Sequence, residues 1–174
     1  MRRVVVVGTS GSGKTTIARR LAALLGVRHI ELDSLHWERG WVEAHPETLR
    51  RRVEAALGDD RWVVDGNYSA VRDLIWPKAD TLIWLDYSLP RVMWQITSRT
   101  AHRIITREEL WSGNREGLGA AFSRHSIIWW AFSTYRKNRR KYTGLASAPE
   151  WEHLTWIRHR SPGETTAWLA ELNA

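Results

Sequence analysis

Eight residues near the start of the chain, Gly8, Thr9, Ser10, Gly11, Ser12, Gly13, Lys14 and Thr15, match the phosphate-binding pattern G-x-x-x-x-G-K-[ST] at every fixed position. Their chemistry follows from the backbone. Glycines let the chain come close to an anion and take positive φ at little cost. A helix that opens at the lysine turns its unpaired N–H groups, and the positive end of its dipole, onto one point. Lys14 then reaches the β- and γ-phosphates of a nucleoside triphosphate, and the Thr15 hydroxyl holds Mg²⁺. Thr16 extends the binding set into the helix. ATP and Mg²⁺ are therefore the expected cofactors.

Three acids stand where predicted strands end: Asp33, Asp65 and Asp86. Ligands of open parallel sheets gather beyond those ends. Asp65 closes an apolar run and precedes Gly66, which suits a carboxylate that orients a Mg²⁺-bound water. Asp86 is its rival, with the alternative role of favouring the helix that starts near Ser88. Asp33 would face the acceptor and could take a proton from a substrate hydroxyl, or else be a solvated loop acid. Arg91, Arg99, Arg103 and Arg107 recur at multiples of four and so share one helix face. Planar guanidinium groups there would neutralise the charge spread over a transferring phosphoryl group. The run Arg136, Lys137, Asn138, Arg139, Arg140, Lys141 reads as solvated or as a polyanion contact. The seven His lack metal-ligand spacing, so zinc is not expected.

The elements that must position these groups alternate in type. Residues 4–7 form a β-branched strand, and Ile17, Ala18, Leu21, Ala22, Leu24 and Leu25 give the next helix its apolar stripe. A short strand over 29–32 ends at Asp33, and residues 34–41 read as a polar and aromatic loop. Pro46 opens a helix with Leu49, Val53, Ala56 and Leu57 on one face. Strands follow at 61–64 and 81–85, separated by a short helix that stops at Trp76 and Pro77. Two basic helices with a break over 111–115 then suggest a hairpin, its second arm carrying Leu118, Phe122, His125, Trp129 and Phe132. A strand at 154–158 and a helix capped by Ser161, Pro162 and Glu164 end the chain. Strand–helix alternation of this kind implies a parallel sheet covered on both faces.

A length of 174 residues suits one such domain, expected to span 1–174. The absence of cysteine excludes disulfides and thiolate metal sites and fits a cytoplasmic protein. No leader or membrane span is expected, and a monomer is. The net charge of +7 is concentrated: residues 91–141 hold eleven Lys or Arg against three Glu. Such a block implies a local polyanion, either a phosphate-bearing small molecule or a nucleic acid. Twelve Trp should mostly line the core or the cleft.

The P-loop, the run Val63, Val64, Asp65, Gly66 and the basic insertion after strand four resemble the adenylate-kinase-like nucleoside and nucleotide kinases. More narrowly, residues 31–37, 65–69 and 108–116 are similar to bacterial proteins named "DNA topology modulation protein" or "putative adenylate kinase". The broader resemblance implies a three-layer α/β/α P-loop fold with a five-stranded sheet ordered 2-3-1-4-5. It implies an acceptor-binding segment at about 33–57 and a helical lid at about 91–141. Its lid role falls on Arg99, Arg103, Arg107, Arg115 and Arg124 together, and His159, Arg160, Ser161 and Pro162 lie where such kinases edge the adenine. The candidate acceptor set is Asp33, His36, Trp37, Trp41, Asn67, Tyr68 and Arg72. Asn67 and Tyr68 replace the aromatic-Pro-Arg run of adenylate kinases, so AMP is not the implied acceptor.

Two functions follow. One is a kinase that moves the γ-phosphate of ATP to a nucleoside monophosphate, a nucleoside or a hydroxylated metabolite. The other is an ATP-binding, nucleic-acid-interacting protein with little kinase activity, for which a pI near 10.3 speaks. The excess charge sits where kinase lids sit, and that favours the first.

Overall fold

The computed structural model describes residues 1–115 and 126–172. Its centre is β1 (Arg3–Gly8), whose Val4, Val5, Val6 and Val7 are at most 1% exposed. A strand buried on both faces reads as an unbroken β-branched run, and this one does. β2 (Arg28–Glu31), β5 (Trp62–Asp65), β6 (Thr81–Leu85) and β7 (Thr155–His159) join it in one parallel sheet, ordered β2-β5-β1-β6-β7. Counting only these five strands, the order is 2-3-1-4-5, as the resemblance implied. The register pairs Val5 with Val64 on one side and with Leu82 on the other.

Helices cover both faces. Val5, Val7, Val64, Leu82 and Trp84 pack on α3 (Pro46–Ala56), through Leu49 and Val53, and on Tyr142 of α6 (Ile127–Ala146). Val4, Val6, Val63, Ile83 and Leu85 pack on α1 (Lys14–Leu25), through Ala18 and Leu21, and on Leu169 of α7 (Pro162–Glu171). α1 stops at Gly26, whose φ of 62° lets Val27 N–H close back on the Ala22 carbonyl at 3.0 Å. Ser161 caps α7 by accepting from Glu164 N–H at 3.2 Å.

The structure corrects the sequence reading in four places. β2 ends at Glu31, so Asp33 lies inside a short helix, α2 (Leu32–His36). Leu32 is buried at 2% exposure, and the Ser34 hydroxyl bonds the Glu31 carbonyl at 2.7 Å, which turns the chain there. The expected loop over 34–41 instead ends α2 and starts a two-stranded ribbon, β3 (Trp37–Glu38) against β4 (Val42–Glu43). Strands β5 and β7 each lie one residue later than expected.

The hairpin arms are α5 (Leu89–Thr106) and α6, which pack on each other. The stripe expected on the second arm falls only partly within the described residues. Leu118, Phe122 and His125 lie outside the described residues, and Trp129 and Phe132 are about half exposed at 50% and 49%. The buried face is Ala131, Tyr135 and Tyr142, because both phenols carry a hydroxyl that finds a buried partner: the Tyr87 carbonyl at 2.9 Å and the Asn67 side chain at 3.0 Å. Among the described residues, no helix is long and apolar enough to cross a membrane.

Candidate active site

The site forms where β1, β5 and β6 end and α1 begins. Three glycines shape the loop between β1 and α1. A Cβ on Gly8 would lie 2.7 Å from Ser12 Oγ and 2.8 Å from the Leu85 carbonyl, and one on Gly11 would lie 2.6 Å from Ile96 Cβ. Gly13 is different. A Cβ there would meet nothing within 4 Å, and its φ of 87° is what turns the chain into α1. Lys14 is half-buried, with its ammonium on the Thr9 carbonyl at 3.3 Å. Burial pulls its pKa down and Arg99 adds to this, while the charges of Asp33 and Asp65 oppose both. Ser12 Oγ is buried without a hydrogen-bond partner. An ammonium short of counter-charge, an orphan hydroxyl and a helix N-terminus fit a polyphosphate.

Asp65 is 2% exposed and pinned at both oxygens. Thr15 Oγ1 donates to one at 2.7 Å, and His29 Nε2 lies 2.7 Å from the other. Thr15 with Asp65 is the donor pair that would hold Mg²⁺, the carboxylate acting through water. Asp86 is placed otherwise. It is bound by the Arg158 guanidinium and by Arg139 Nε at 3.3 Å, while Arg158 stacks on Trp84 at 4.4 Å. A carboxylate spent on two guanidiniums is not free to order a metal's water. Arg139 is thereby also corrected: half exposed, it pairs with the buried Asp86 and is not merely part of an undirected basic run.

Gly66 brings the acceptor side in. With φ at 139° it leaves room for Leu32, whose Cβ would lie 2.8 Å from any Cβ added there. That approach sets α2 beside β5. Asp33 Oδ1 then accepts from the Tyr68 hydroxyl at 2.6 Å. Burial first, and then the charge of Asp33, push the Tyr68 phenol well above its usual range, so it stays a donor. Asp33 is also close enough to act on Lys14 electrostatically.

Other predicted residues have different places. Asn67 donates to the Gly8 carbonyl at 2.5 Å and accepts from Gly8 N–H at 3.3 Å, so it struts the P-loop where an acceptor contact was expected. Arg72 lies over the Trp76 ring at 4.9 Å. His36 and Trp37 pack beside Tyr68 and Trp41 respectively, with ring centroids 4.5 and 5.6 Å apart. Arg160 and Pro162 border the start of α7, where Arg160 N–H binds Glu164 at 2.7 Å. Of the lid arginines, Arg99 acts on Lys14, Arg103 pairs with Glu108 at 3.5 Å, and Arg115 pairs with Glu109 at 3.4 Å. Arg107 ends α5 in a left-handed turn, and Arg124 lies outside the described residues.

The sequence reading missed His29, Glu31 and Asn114. His29 and Glu31 alternate along β2, a pattern that also fits an ordinary sheet edge. Asn114 follows Ser112 and Gly113 and reads as a turn residue.

Sheet order, P-loop and the helices on both faces together define a three-layer α/β/α fold of the kind that P-loop kinases have. A family model described as an AAA domain matches residues 4–56. A protein named "Putative adenylate kinase" from Pyrococcus abyssi (strain GE5 / Orsay) is 37% identical over 73 residues, 38% of this chain and 41% of that protein. The match thus spans about two-fifths of that relative's length. Two solved structures share the fold across nearly the whole chain. A shikimate kinase from Acinetobacter baumannii, in complex with shikimate, is 17% identical at a TM-score of 0.58, covering 99% of this chain and 90% of its own. A gluconokinase from Sinorhizobium meliloti 1021 is 18% identical at a TM-score of 0.53, covering 99% and 93%.

Proposed function

We propose that the chain is an ATP-dependent phosphotransferase that moves the γ-phosphate onto a hydroxyl of a small acceptor. The observation that carries this is the Asp33 carboxylate, held at one oxygen by Tyr68 and set within electrostatic reach of Lys14. A phosphate acceptor is already anionic and needs no base, whereas an alcohol must lose a proton during transfer. The kinase names of the similar proteins support the same class.

The steps follow from the residues. Backbone N–H groups of the loop and the α1 N-terminus bind the phosphates, and Lys14 neutralises the β,γ-bridge. Mg²⁺ at Thr15 and Asp65 would supply further charge neutralisation on the phosphate oxygens. Asp33, fixed by Tyr68, takes the acceptor proton as the new O–P bond forms. The bond to the β-phosphate breaks, and ADP departs with that electron pair. Arg99, beside Lys14, offsets charge on the transferring group. Arg103 on α5 and Arg107 at its end extend this lid role.

Removal of the base tests the proposal. Asp33→Asn should lower kcat by about 10²- to 10⁴-fold, the usual contribution of a general base, with the KM for ATP nearly unchanged. A wild-type kcat in this variant sinks the base assignment. The alternative of a nucleic-acid-binding module draws on the exposed residues of α6, but its Arg139 is committed to Asp86.

A further inference from the structure

The aromatic residues around Asp33 form a row of contacts. Tyr68, bonded to Asp33, lies 4.5 Å from His36, which lies 4.8 Å from Trp37. Trp37 meets Trp41 edge to face at 5.6 Å, and Trp41 meets Trp111 in the same way at 6.3 Å. Trp111 ends this row near Glu31, two residues from Asp33, and favours that carboxyl's charged form. His36 is buried, while Trp37, Trp41, Tyr68 and Trp111 keep open area. Rings arranged in this way beside a carboxylate offer a partly open aromatic surface next to it.

Its far side comes from the other insertion. Asn114, 4% exposed, accepts from Gly40 N–H at 2.7 Å and Trp41 N–H at 3.0 Å, and donates to the Glu38 carbonyl at 2.8 Å. Ser112 donates to the Trp37 carbonyl at 2.8 Å, and the Trp41 indole donates to the Arg115 carbonyl at 3.3 Å. Both sides of this clasp hold a non-glycine residue in the left-handed region, Trp41 at φ 59° and Ser112 at φ 58°. Such residues persist only where their surroundings over-determine them, and they gather at ligand clamps.

Charge narrows the occupant. Glu31 and Asp33 stand on this side, with the buried Asp65 behind them, near enough that burial and the two aspartates together push the Glu31 carboxyl up. Two cations near this surface are already paired, Arg52 with Glu38 at 2.8 Å and Arg115 with Glu109 at 3.4 Å. An incoming carboxylate or phosphate would meet like charge there.

We infer that the acceptor is an uncharged ring compound bearing the reactive hydroxyl, seated against Trp37, Trp41 and Trp111, and that Asn114 is the positioning residue that holds this surface. The inference rests on the phosphotransferase reading and narrows its acceptor. Binding is measured apart from turnover, by tryptophan fluorescence with a non-hydrolysable ATP analogue present. Neutral nucleosides and cyclic polyols are titrated beside their carboxylate- or phosphate-bearing counterparts. At least one neutral ring should bind about tenfold tighter than its charged counterpart. Tighter binding of the charged forms, or no binding of any neutral ring, overturns the inference.

Asn114→Ala should raise the Kd of the neutral ring about tenfold, the scale of one or two lost hydrogen bonds, with ATP-analogue affinity unchanged. Asn114→Asp keeps the oxygen that serves Gly40 and Trp41 but loses the donor to the Glu38 carbonyl, so it should show a smaller rise in the same Kd. An unchanged acceptor Kd in both variants, or an equal loss for the ATP analogue, overturns the positioning role. If Asn114→Ala does not fold, Asn114→Asp decides alone: a rise confined to the acceptor supports the role, and none overturns it. A chain that binds neutral rings but transfers no phosphoryl group supports the aromatic surface and contradicts the function proposed above.

Discussion

Asp65 and Asp86 follow the same logic in the sequence and part in the structure. Each stands at or just past the end of a strand beside β1, one on either side. What separates them is what their oxygens touch: Thr15 and His29 for Asp65, Arg158 and Arg139 for Asp86. Asp65→Asn should therefore cut kcat at least about 100-fold while ATP binding is largely kept, the scale of losing one preorganised electrostatic contact. Asp86→Asn should keep near-normal kcat and lose stability instead. That loss is about 1–2 kcal/mol, below the range for fully buried pairs, because the Arg158 and Arg139 side chains are 33% and 50% exposed. Steady-state kinetics and thermal melts on both variants decide, and equal kinetic losses would contradict the assignment. The sequence shows that both acids end strands. It does not show their partners, since His29 meets Asp65 across 36 residues and Arg158 meets Asp86 across 72.

Helix boundaries were legible where local chemistry sets them. Pro46 opens α3, Ser88 and Pro90 open α5, and Ser161 with Pro162 opens α7. The β3–β4 ribbon was not legible. Two-residue strands have no period to read, and Asn114 orders the turn between them from 74 residues away. The same docking divides the insertion after β6 into two parts with different expected dynamics. Residues 109–115 are bonded to the ribbon and should show amide protection before any nucleotide is added. Arg99, Arg103 and Arg107 repel one another at spacings of four, so residues 99–107 should gain protection when an ATP analogue supplies negative charge. Hydrogen exchange with and without the analogue checks both. Protection gained only over 8–16 would contradict a closing lid, and exposed amides over 109–115 would contradict the docking.

At the scale of the molecule, sheet order follows from a simple rhythm. Strands and helices alternate, crossovers are right-handed, and the apolar runs of β1, β5 and β6 demand the centre of the sheet. That order brings the P-loop, Asp65 and Asp33 to the carboxyl ends of the strands, although Gly8 and Asp65 are far apart in sequence. A chain of net charge +7 thus places carboxylates on the acceptor side of a basic nucleotide site. The asymmetry suits transfer from a polyanion to a neutral acceptor, with the cations spent on ATP. Composition alone showed the positive excess. It could not show that Asp65 joins Glu31 and Asp33, because Asp65 reaches them only through the fold.

The central claim is that the γ-phosphate of ATP leaves on a hydroxyl oxygen, and phosphorus NMR reads that bond directly. ATP, Mg²⁺ and a panel of neutral hydroxylated rings are incubated with the protein and with Lys14→Ala. The account predicts a new phosphate monoester resonance that grows in step with ADP for the wild-type chain and is absent for Lys14→Ala. A product resonance of phosphoanhydride type, formed only with nucleoside monophosphates, would contradict it, as would orthophosphate alone across the whole panel.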